Sequence, residues 1–345
     1  MNGPMAADLP TVSIIMPIRN EEAFLDRCLG SVAETTYPID RLELLVVDGM
    51  STDRSREIAE SFRDRLPGLR VIENPARIQA VAFNLGLSMA LGELIVRMDA
   101  HTLYDPNYVS VCVDSLLRTG AENVGGPQRS KGDTPLTRAI AFAVSSRFGA
   151  GDASYRYTDV AVWADTVYLG SWRRKTLECL GGMRPDWAVN EDYELNIRLR
   201  KQGGRILVTP AAKSTYFVRG SIPKLARQYF RYGLWKVRTL TVHPASIRWR
   251  QLVAPGFVSY LVLLPQLHSW FGGIAFVPIY LYLTALLWLT ASSAASLGAA
   301  ATWLPMVFPT IHLSWGVGFL LGWLRWLPDR FERREAAATA RNPGS

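Results

Sequence analysis

In "GELIVRMDAHTLYDP" a short apolar run ends in two residues able to bind a metal, Asp99 and His101, with one residue between them. A second apolar run, "LELLVVD", ends in Asp48. Further on, Glu191 and Asp192 precede "YELNIRLR", a stretch that reads as a helix, and a helix N-terminus favours an ionised carboxylate. Acids at strand ends suit a phosphate-bearing ligand only when a cation lies between them. Mg2+ and Mn2+ take carboxylate and phosphate oxygens together, and an imidazole ligand leans toward Mn2+. Asp99 and His101 therefore point to a divalent cation, Mn2+ or Mg2+, that holds a diphosphate. A helix-capping or surface place for His101 is the simpler alternative.

The elements that must position these residues alternate. "TVSIIMPI", "LELLVVD", "LRVIEN" and "ELIVRMD" are compact apolar strands, and "NEEAFLDRCLGSVAE", "STDRSREIAESFRDRL" and "IQAVAFNLGLSMAL" between them have helical spacing. Such alternation predicts an α/β fold, a mostly parallel sheet with helices on both faces. Ligands of such sheets bind beyond the carboxyl ends of the strands, where Asp48 and Asp99 fall. The turn after the first strand reads "PIRNEE" in place of GxGxxG, and no Walker P-loop occurs. A Rossmann-type dinucleotide site is therefore not expected.

The net charge of +8 is unevenly spread. No Asp or Glu lies between Glu194 and Asp329, while Lys and Arg continue as far as Arg250. That asymmetry fits nucleic acid or an anionic membrane. The next stretch decides for the membrane and against nucleic acid. From Gln251 to Leu324 there is no Asp, Glu, Lys or Arg. "WFGGIAFVPIYLYLTALLWLTA" and "WLPMVFPTIHLSWGVGFLLGWL" each exceed the ~20 residues that cross a bilayer. "LVAPGFVSYLVLLPQLH", broken by Pro255 and Pro265, is a third candidate. Soluble helices keep a polar face, and these do not.

Ahead of them, "SIPKLARQYFRYGLWKVR" sets Lys224, Arg227, Arg231 and Arg238 on one side and Ala226, Phe230, Leu234 and Val237 on another. This is the pattern of a basic helix lying on an anionic leaflet. The N-terminal "MNGPMAADLP" has neither the basic nor the apolar region of a signal peptide, so the first domain is expected in the cytosol. Cys28, Cys112 and Cys179 show no metal spacing and read as reduced core residues. The expected domains are a catalytic domain over 1–219, the basic interface helix over 220–250, a transmembrane region of two to four segments over 251–327, and a polar tail over 328–345. Arg325, Arg330, Arg333 and Arg334 favour a cytosolic C-terminus. That requires an even number of spans, with the Pro-broken segment interfacial or re-entrant.

"SIIMPIRNEE", "VVDGMSTD", "RIQAVAFNLGLSMALGELIVRMDAH" and "NEDYELNIRLRKQGG" resemble glycosyltransferase family 2 in order and separation, and "RQYFRYGLWK" resembles its QxxRW element. They also resemble the membrane-bound branch that extends lipid-linked oligosaccharides, the succinoglycan-type glucosyltransferases. The resemblance implies a GT-A fold with C-terminal transmembrane helices. It also implies a role for each matching position. Pro17, Arg19 and Glu21 would line the nucleotide pocket, Asp48 would accept the uracil N3–H, and Asp53 would close that turn. Arg77, Gln79 and Asn84 would lie near the ribose and diphosphate. Asp99 and His101 match the metal-binding DxD motif, and Asp192, with Glu191 before it, matches the catalytic base. Gln228, Arg231 and Trp235 would meet the acceptor or diphosphate. Between these motifs, Arg173 is a candidate phosphate contact and Trp187 a candidate platform for the acceptor. Two departures matter: "DGMSTD" stands for DDGSTD, and DxH stands for DxD, so each site has one charge fewer. Asp48 and Asp53 would serve equally as turn and cap residues.

The activity implied is inverting transfer of a sugar from a nucleotide-sugar, a UDP-sugar, to a hydroxyl of a lipid-linked saccharide in exopolysaccharide or cell-envelope glycan synthesis. The partners are that donor, that acceptor and an anionic membrane surface. The setting is a multi-pass protein of the cell membrane with its catalytic domain on the cytosolic face. A polyprenyl-phosphate sugar synthase is the alternative enzyme. A nucleotide-binding membrane scaffold is the alternative without catalysis, told apart by whether UDP is released.

Overall fold

The computed structural model describes residues 9–151, 153–218 and 220–341, so the signal-peptide reading of the N-terminus and the place of Arg219 lie outside it. Contacts divide these residues into two units, one of residues 9–130 and 153–217, the other of 131–151 and 218–341. The second unit takes in an earlier excursion, 131–151, that lies within the span expected for the catalytic domain.

The first unit begins as the alternation predicts: β1 (Val12–Ile18), α1 (Glu22–Ala33), β2 (Leu42–Asp48), α2 (Ser55–Glu60), β3 (Leu69–Glu73), α3 (Gln79–Met89) and β4 (Leu94–Arg97). Then follow β5 (Thr102–Tyr104), α4 (Tyr108–Thr119), β6 (Asn123–Gly125) and β7 (Arg129–Lys131). The excursion carries α5 (Pro135–Ser145) and α6 (Arg147–Ala150). The first unit resumes with β8 (Val162–Ala164), β9 (Ser171–Arg173), α7 (Arg174–Leu180), α8 (Glu191–Lys201), β10 (Ile206–Val208) and β11 (Ser214–Phe217).

An eight-stranded sheet runs in the order β3-β2-β1-β4-β9-β6-β10-β8. β1, β2, β3 and β4 are parallel, and β9 enters antiparallel between β4 and β6. Strand side chains alternate between faces. Val12, Ile14, Met16 and Ile18 join Leu25, Cys28 and Leu29 of α1 in one core. Ile15, Leu45, Val47 and Ile95 join Phe83 of α3, Leu177 of α7 and Leu195 of α8 in the other. Both faces are covered, which is why the strands read as unbroken apolar runs. β1 lies between β2 and β4, so the chain leaves β1 in one direction and returns on its other side at β4. Such a reversal opens a crevice at the strands' carboxyl ends.

Cys28 and Cys112 are buried as expected, whereas Cys179 is exposed. The loop-rich half after β4 contains a second sheet, β5-β11-β7, that no periodicity announced.

The second unit continues with α9 (Ile222–Val242), α10 (Arg250–Phe271), α11 (Val277–Leu297) and α12 (Leu304–Arg341). α9 and α12 pack closely through glycines. A Cβ at Gly233 would run into the Trp315 carbonyl, and one at Gly318 into the Phe230 carbonyl. α10 stays helical through Pro255 and Pro265, so proline does not divide that segment as the sequence suggested. α12 runs past the boundary expected at 327.

The stretch Arg250–Trp326 is long and apolar enough to cross a membrane, and only 11% of its most apolar window is buried, whereas the core helix of a soluble protein is mostly buried. Trp270, Phe271, Leu287, Trp288 and Leu324 are all exposed. Within this unit the excursion is tied down by Phe148. Its ring meets those of Phe308 at 4.9 Å and His312 at 5.1 Å. Its carbonyl oxygen lies 2.9 Å from His312 Nε2, and His312 Nδ1 lies 3.0 Å from the Tyr282 hydroxyl.

Candidate active site

The loops after β1 and β2 are stitched together at the crevice. The amide of Asn20 donates to Ser51 Oγ at 3.0 Å, and that of Thr52 donates to Asn20 Oδ1 at 2.8 Å. The amide of Glu21 donates to Ser55 Oγ at 2.7 Å, and that of Glu22 to Asp53 Oδ2 at 3.1 Å. Asp53 closes this turn. Slight burial works against its charge, but the donors of Ser55 and Glu22 outweigh it and hold the carboxyl below its ordinary range. Asp48 ends β2, buried, and its Oδ1 accepts from the Ser51 amide at 3.0 Å and hydroxyl at 2.6 Å. One of its oxygens thus serves the turn, the alternative that the sequence left open.

Among the described residues, five non-glycines have left-handed backbone: Asn20 (φ 55), Met50 (φ 59), Arg77 (φ 58), Leu169 (φ 62) and Asn190 (φ 62). Asn20 and Asn190 adjoin candidate residues, Arg77 is one, Met50 lies two residues past Asp48, and Leu169 precedes Gly170, whose carbonyl oxygen accepts from the Arg97 amide at 2.9 Å. Strain of this kind gathers at functional sites. Met50 is the least suited to it, being neither short nor polar. Met50→Gly is expected to stabilise the fold by about 1 kcal/mol, a rise of roughly 2 °C in thermal unfolding. An unchanged or lower melting temperature would show that the Met50 side chain compensates.

Asp99 and His101 stand just beyond β4. Asp99 Oδ1 and His101 Nδ1 are buried and have no hydrogen-bond partner. His101 Nδ1 lies 3.7 Å from Glu21 Oε1, and its ring meets Tyr216 edge-on at 5.0 Å. A carboxylate oxygen and an imidazole nitrogen, both shielded and unbonded, are a fitting donor pair for a divalent cation that completes its shell with phosphate oxygens and water. Among the described residues no three His, Cys, Asp or Glu side chains form a closed metal cage.

The acids of α8 reach the same place from the other side. Arg97, the last residue of β4, lies with Nη2 3.3 Å from Glu191 Oε1 and Nε 3.5 Å from Asp99 Oδ1. Burial pushes the Glu191 carboxyl up to about 7, with Arg97 pulling it down and Asp192 pushing it further up. Asp192 is half-buried in the first turn of α8, and its Oδ1 accepts from the Tyr193 amide at 2.7 Å. A buried polar chain anchors the helix: Asn123 Nδ2 donates to Asn196 Oδ1 at 2.8 Å, and Asn196 Nδ2 to Thr166 Oγ1 at 2.9 Å.

The remaining candidates separate. Pro17 is half-buried in β1, Arg19 and Arg77 are exposed in the loops beyond β1 and β3, and Gln79 is exposed at the start of α3. Asn84 is occupied at both ends of its amide by the Met183 backbone, at 2.6 and 2.8 Å. Arg173 does not stand at a phosphate position. β9 runs antiparallel, so Arg173 pairs with Leu94 at the far end of β4 from Asp99. Its guanidinium donates to the carbonyls of Leu116 at 2.8 Å and Ala121 at 3.2 Å. Trp187 is fully buried with the Arg184 guanidinium 4.8 Å over its ring, so it is a core side chain and not a platform. In the second unit, Gln228, Arg231 and Trp235 lie on α9; Gln228 Nε2 donates to the Tyr232 hydroxyl at 2.9 Å, and Trp235 packs on Trp326 at 5.5 Å. Sequence reasoning missed Arg97, whose only signal was a charged residue inside an apolar strand.

Comparison with known proteins bears on the family. The profile of Glycosyl transferase family 2 matches residues 13–162. The chain is similar to the succinoglycan biosynthesis protein ExoA of Rhizobium meliloti, 30% identical over 316 residues, which cover 89% of this chain and 93% of that protein. It is also similar to the dolichyl N-acetyl-alpha-D-glucosaminyl phosphate 3-beta-D-2,3-diacetamido-2,3-dideoxy-beta-D-glucuronosyltransferase of Methanococcus voltae, 26% identical over 69% of this chain and 76% of that one. Among solved structures, mannosyltransferase PcManGT from Pyrobaculum calidifontis in complex with GDP-Man and Mn2+ superposes with a TM-score of 0.61, at 20% identity, over 92% of this chain and 89% of that one. The fold is GT-A. With acids at the strand ends, loops stitched around them and a relative matched over nearly its whole length, the chain is a glycosyltransferase and belongs to glycosyl transferase family 2.

Proposed function

We propose that this enzyme is a membrane-anchored, inverting transferase. It moves a sugar from a UDP-sugar to a hydroxyl of a lipid-linked saccharide, in exopolysaccharide or cell-envelope glycan synthesis, at the cytosolic face of the cell membrane. One observation carries the reading: Arg97 bridges Asp99 on the donor side and Glu191, beside Asp192, on the acceptor side. Asp99 and His101 hold the divalent cation, Mn2+ or Mg2+, which when bound neutralises charge on the leaving diphosphate. Asp192 takes the proton of the attacking hydroxyl. With the base on the face opposite the diphosphate, the anomeric centre inverts.

The nucleotide lies over the stitched loops. Asp48 meets the uracil with the oxygen its turn does not use. Arg19, Glu21, Arg77 and Gln79 line the way to the diphosphate, and Pro17 and Asp53 shape the pocket. Asn84 holds the turn at Met183. Gln228, Arg231 and Trp235 of α9 serve the acceptor, a role that rests on the resemblance of "RQYFRYGLWK" to QxxRW. α10, α11 and the first part of α12 supply enough apolar length for a multi-pass anchor. The acceptor's lipid is drawn from the same bilayer.

Incubating the full chain in bilayers with a panel of UDP-sugars, with and without lipid-linked saccharide, tests this reading. Acceptor-dependent UDP release supports it, and no release with any sugar would favour a scaffold. Lys224 and Arg227 are exposed on α9 and are proposed to meet the anionic leaflet. Changing both to Glu is expected to slow transfer to the lipid-linked acceptor by about thirtyfold or more, since two charges worth about 1 kcal/mol each near the surface are lost. Hydrolysis of the UDP-sugar should stay near wild type. Parallel loss of both would place these residues in the catalytic site.

A further inference from the structure

Arg97 is a full positive charge inside the fold, 5% exposed, at the point where β4 ends. A buried cation is costly unless paired. Its pairing is split and long: one oxygen of Glu191 at 3.3 Å and one of Asp99 at 3.5 Å. No bidentate fork forms, and Nε and Nη1 have no hydrogen-bond partner. Burial works against the charge, but Asp99, Glu191 and Asp192 together hold the guanidinium more firmly protonated than usual. The same locality has His101 where a second acid would strengthen a cation site. Both features lower the pull of this cluster on a divalent ion, which is an odd choice if tight metal binding is its purpose.

We infer that Arg97 is a positioning residue that divides itself between Asp99 and Glu191, loosening the metal site while fixing the start of the base-bearing helix. The inference rests on the metal and base roles proposed above. Asp99 cannot give its full charge to two cations, so ligation by Asp99 and pairing with Arg97 compete. As that pairing weakens, the guanidinium leans on Glu191 alone. Glu191 follows the left-handed Asn190 and precedes Asp192, so its position sets the first turn of α8. Donor-side ligation and acceptor-side alignment are thereby coupled, and such coupling is reciprocal.

The test is Mn2+ titration of the full chain in detergent, with free Mn2+ read by electron paramagnetic resonance, beside transfer rates at saturating Mn2+. Arg97→Met should bind Mn2+ about five- to tenfold more tightly, because a competing cation is gone. Its transfer should fall by about a hundredfold, the scale of a misplaced catalytic group. Arg97→Lys keeps the buried charge and so guards against failure to fold. It should bind Mn2+ within about twofold of wild type, yet transfer poorly, since one ammonium cannot reach two separate carboxylates as the Nε and Nη2 of a guanidinium do. A merely structural arginine would lower binding and transfer together. Weaker Mn2+ binding in a folded Arg97→Met, or wild-type transfer by Arg97→Lys, would overturn the inference. No Mn2+ binding by the wild type, with or without UDP, would instead defeat the metal assignment and the inference with it.

Discussion

Asp192→Asn is expected to lose about 10²–10⁴ of the transfer rate, the usual worth of a general base, while UDP still binds with Mn2+ at wild-type strength. The substitution keeps size and leaves an oxygen to accept from the Tyr193 amide, so the first turn of α8 should hold. It removes only the ability to take a proton from the acceptor hydroxyl. Calorimetric titration with UDP and Mn2+, beside transfer to a lipid-linked saccharide, separates the two effects. A residual rate within about threefold of wild type would exclude a base at this position. It would favour a lipid phosphate as nucleophile, which arrives already ionised.

Asp99→Ala is expected to abolish measurable Mn2+ binding and cut transfer by about a thousandfold, the several kcal/mol of charge stabilisation that a bound metal provides. Chelation of the wild type should reproduce the loss and added Mn2+ should reverse it. His101→Asp should keep activity but shift preference toward Mg2+, since a carboxylate suits the harder ion. Full activity in excess chelator would refute a role for metal.

The first strands and helices were legible because both sheet faces are covered. β1, β2 and β4 needed apolar residues at most positions, and that leaves a plain signal between helical repeats. Asp48 and Asp99 could be placed at the carboxyl ends of β2 and β4 from the alternation alone. After β4 the strands shrink to three or four residues, such as β5, β9 and β11, too short for periodicity to mark. The antiparallel entry of β9 is a tertiary choice, and it is what carries Arg173 to the wrong end of the sheet. Trp187 looked like a platform because aromatic residues beside acids often are, but burial is not written in residue type. Arg97 lies two residues before Asp99, but its meaning comes from Glu191, ninety-four positions away, and no local pattern marks that pairing. The left-handed backbone at Met50 was likewise invisible, because methionine rarely adopts it.

The excursion of residues 131–151 bears on how the chain is made. Ala139, Ile140, Ala143 and Val144 of α5 are buried, and α5 and α6 belong to the unit completed by α12. Synthesis runs at about 5–20 residues per second, so that partner emerges some ten to thirty seconds later. During that interval the nascent chain carries a sticky helix with no place to go. A chain cut at residue 219 would carry it permanently. Such a soluble fragment, the natural first choice for expression, should self-associate, and polar replacements on α5 should cure it without touching the acids at the strand ends.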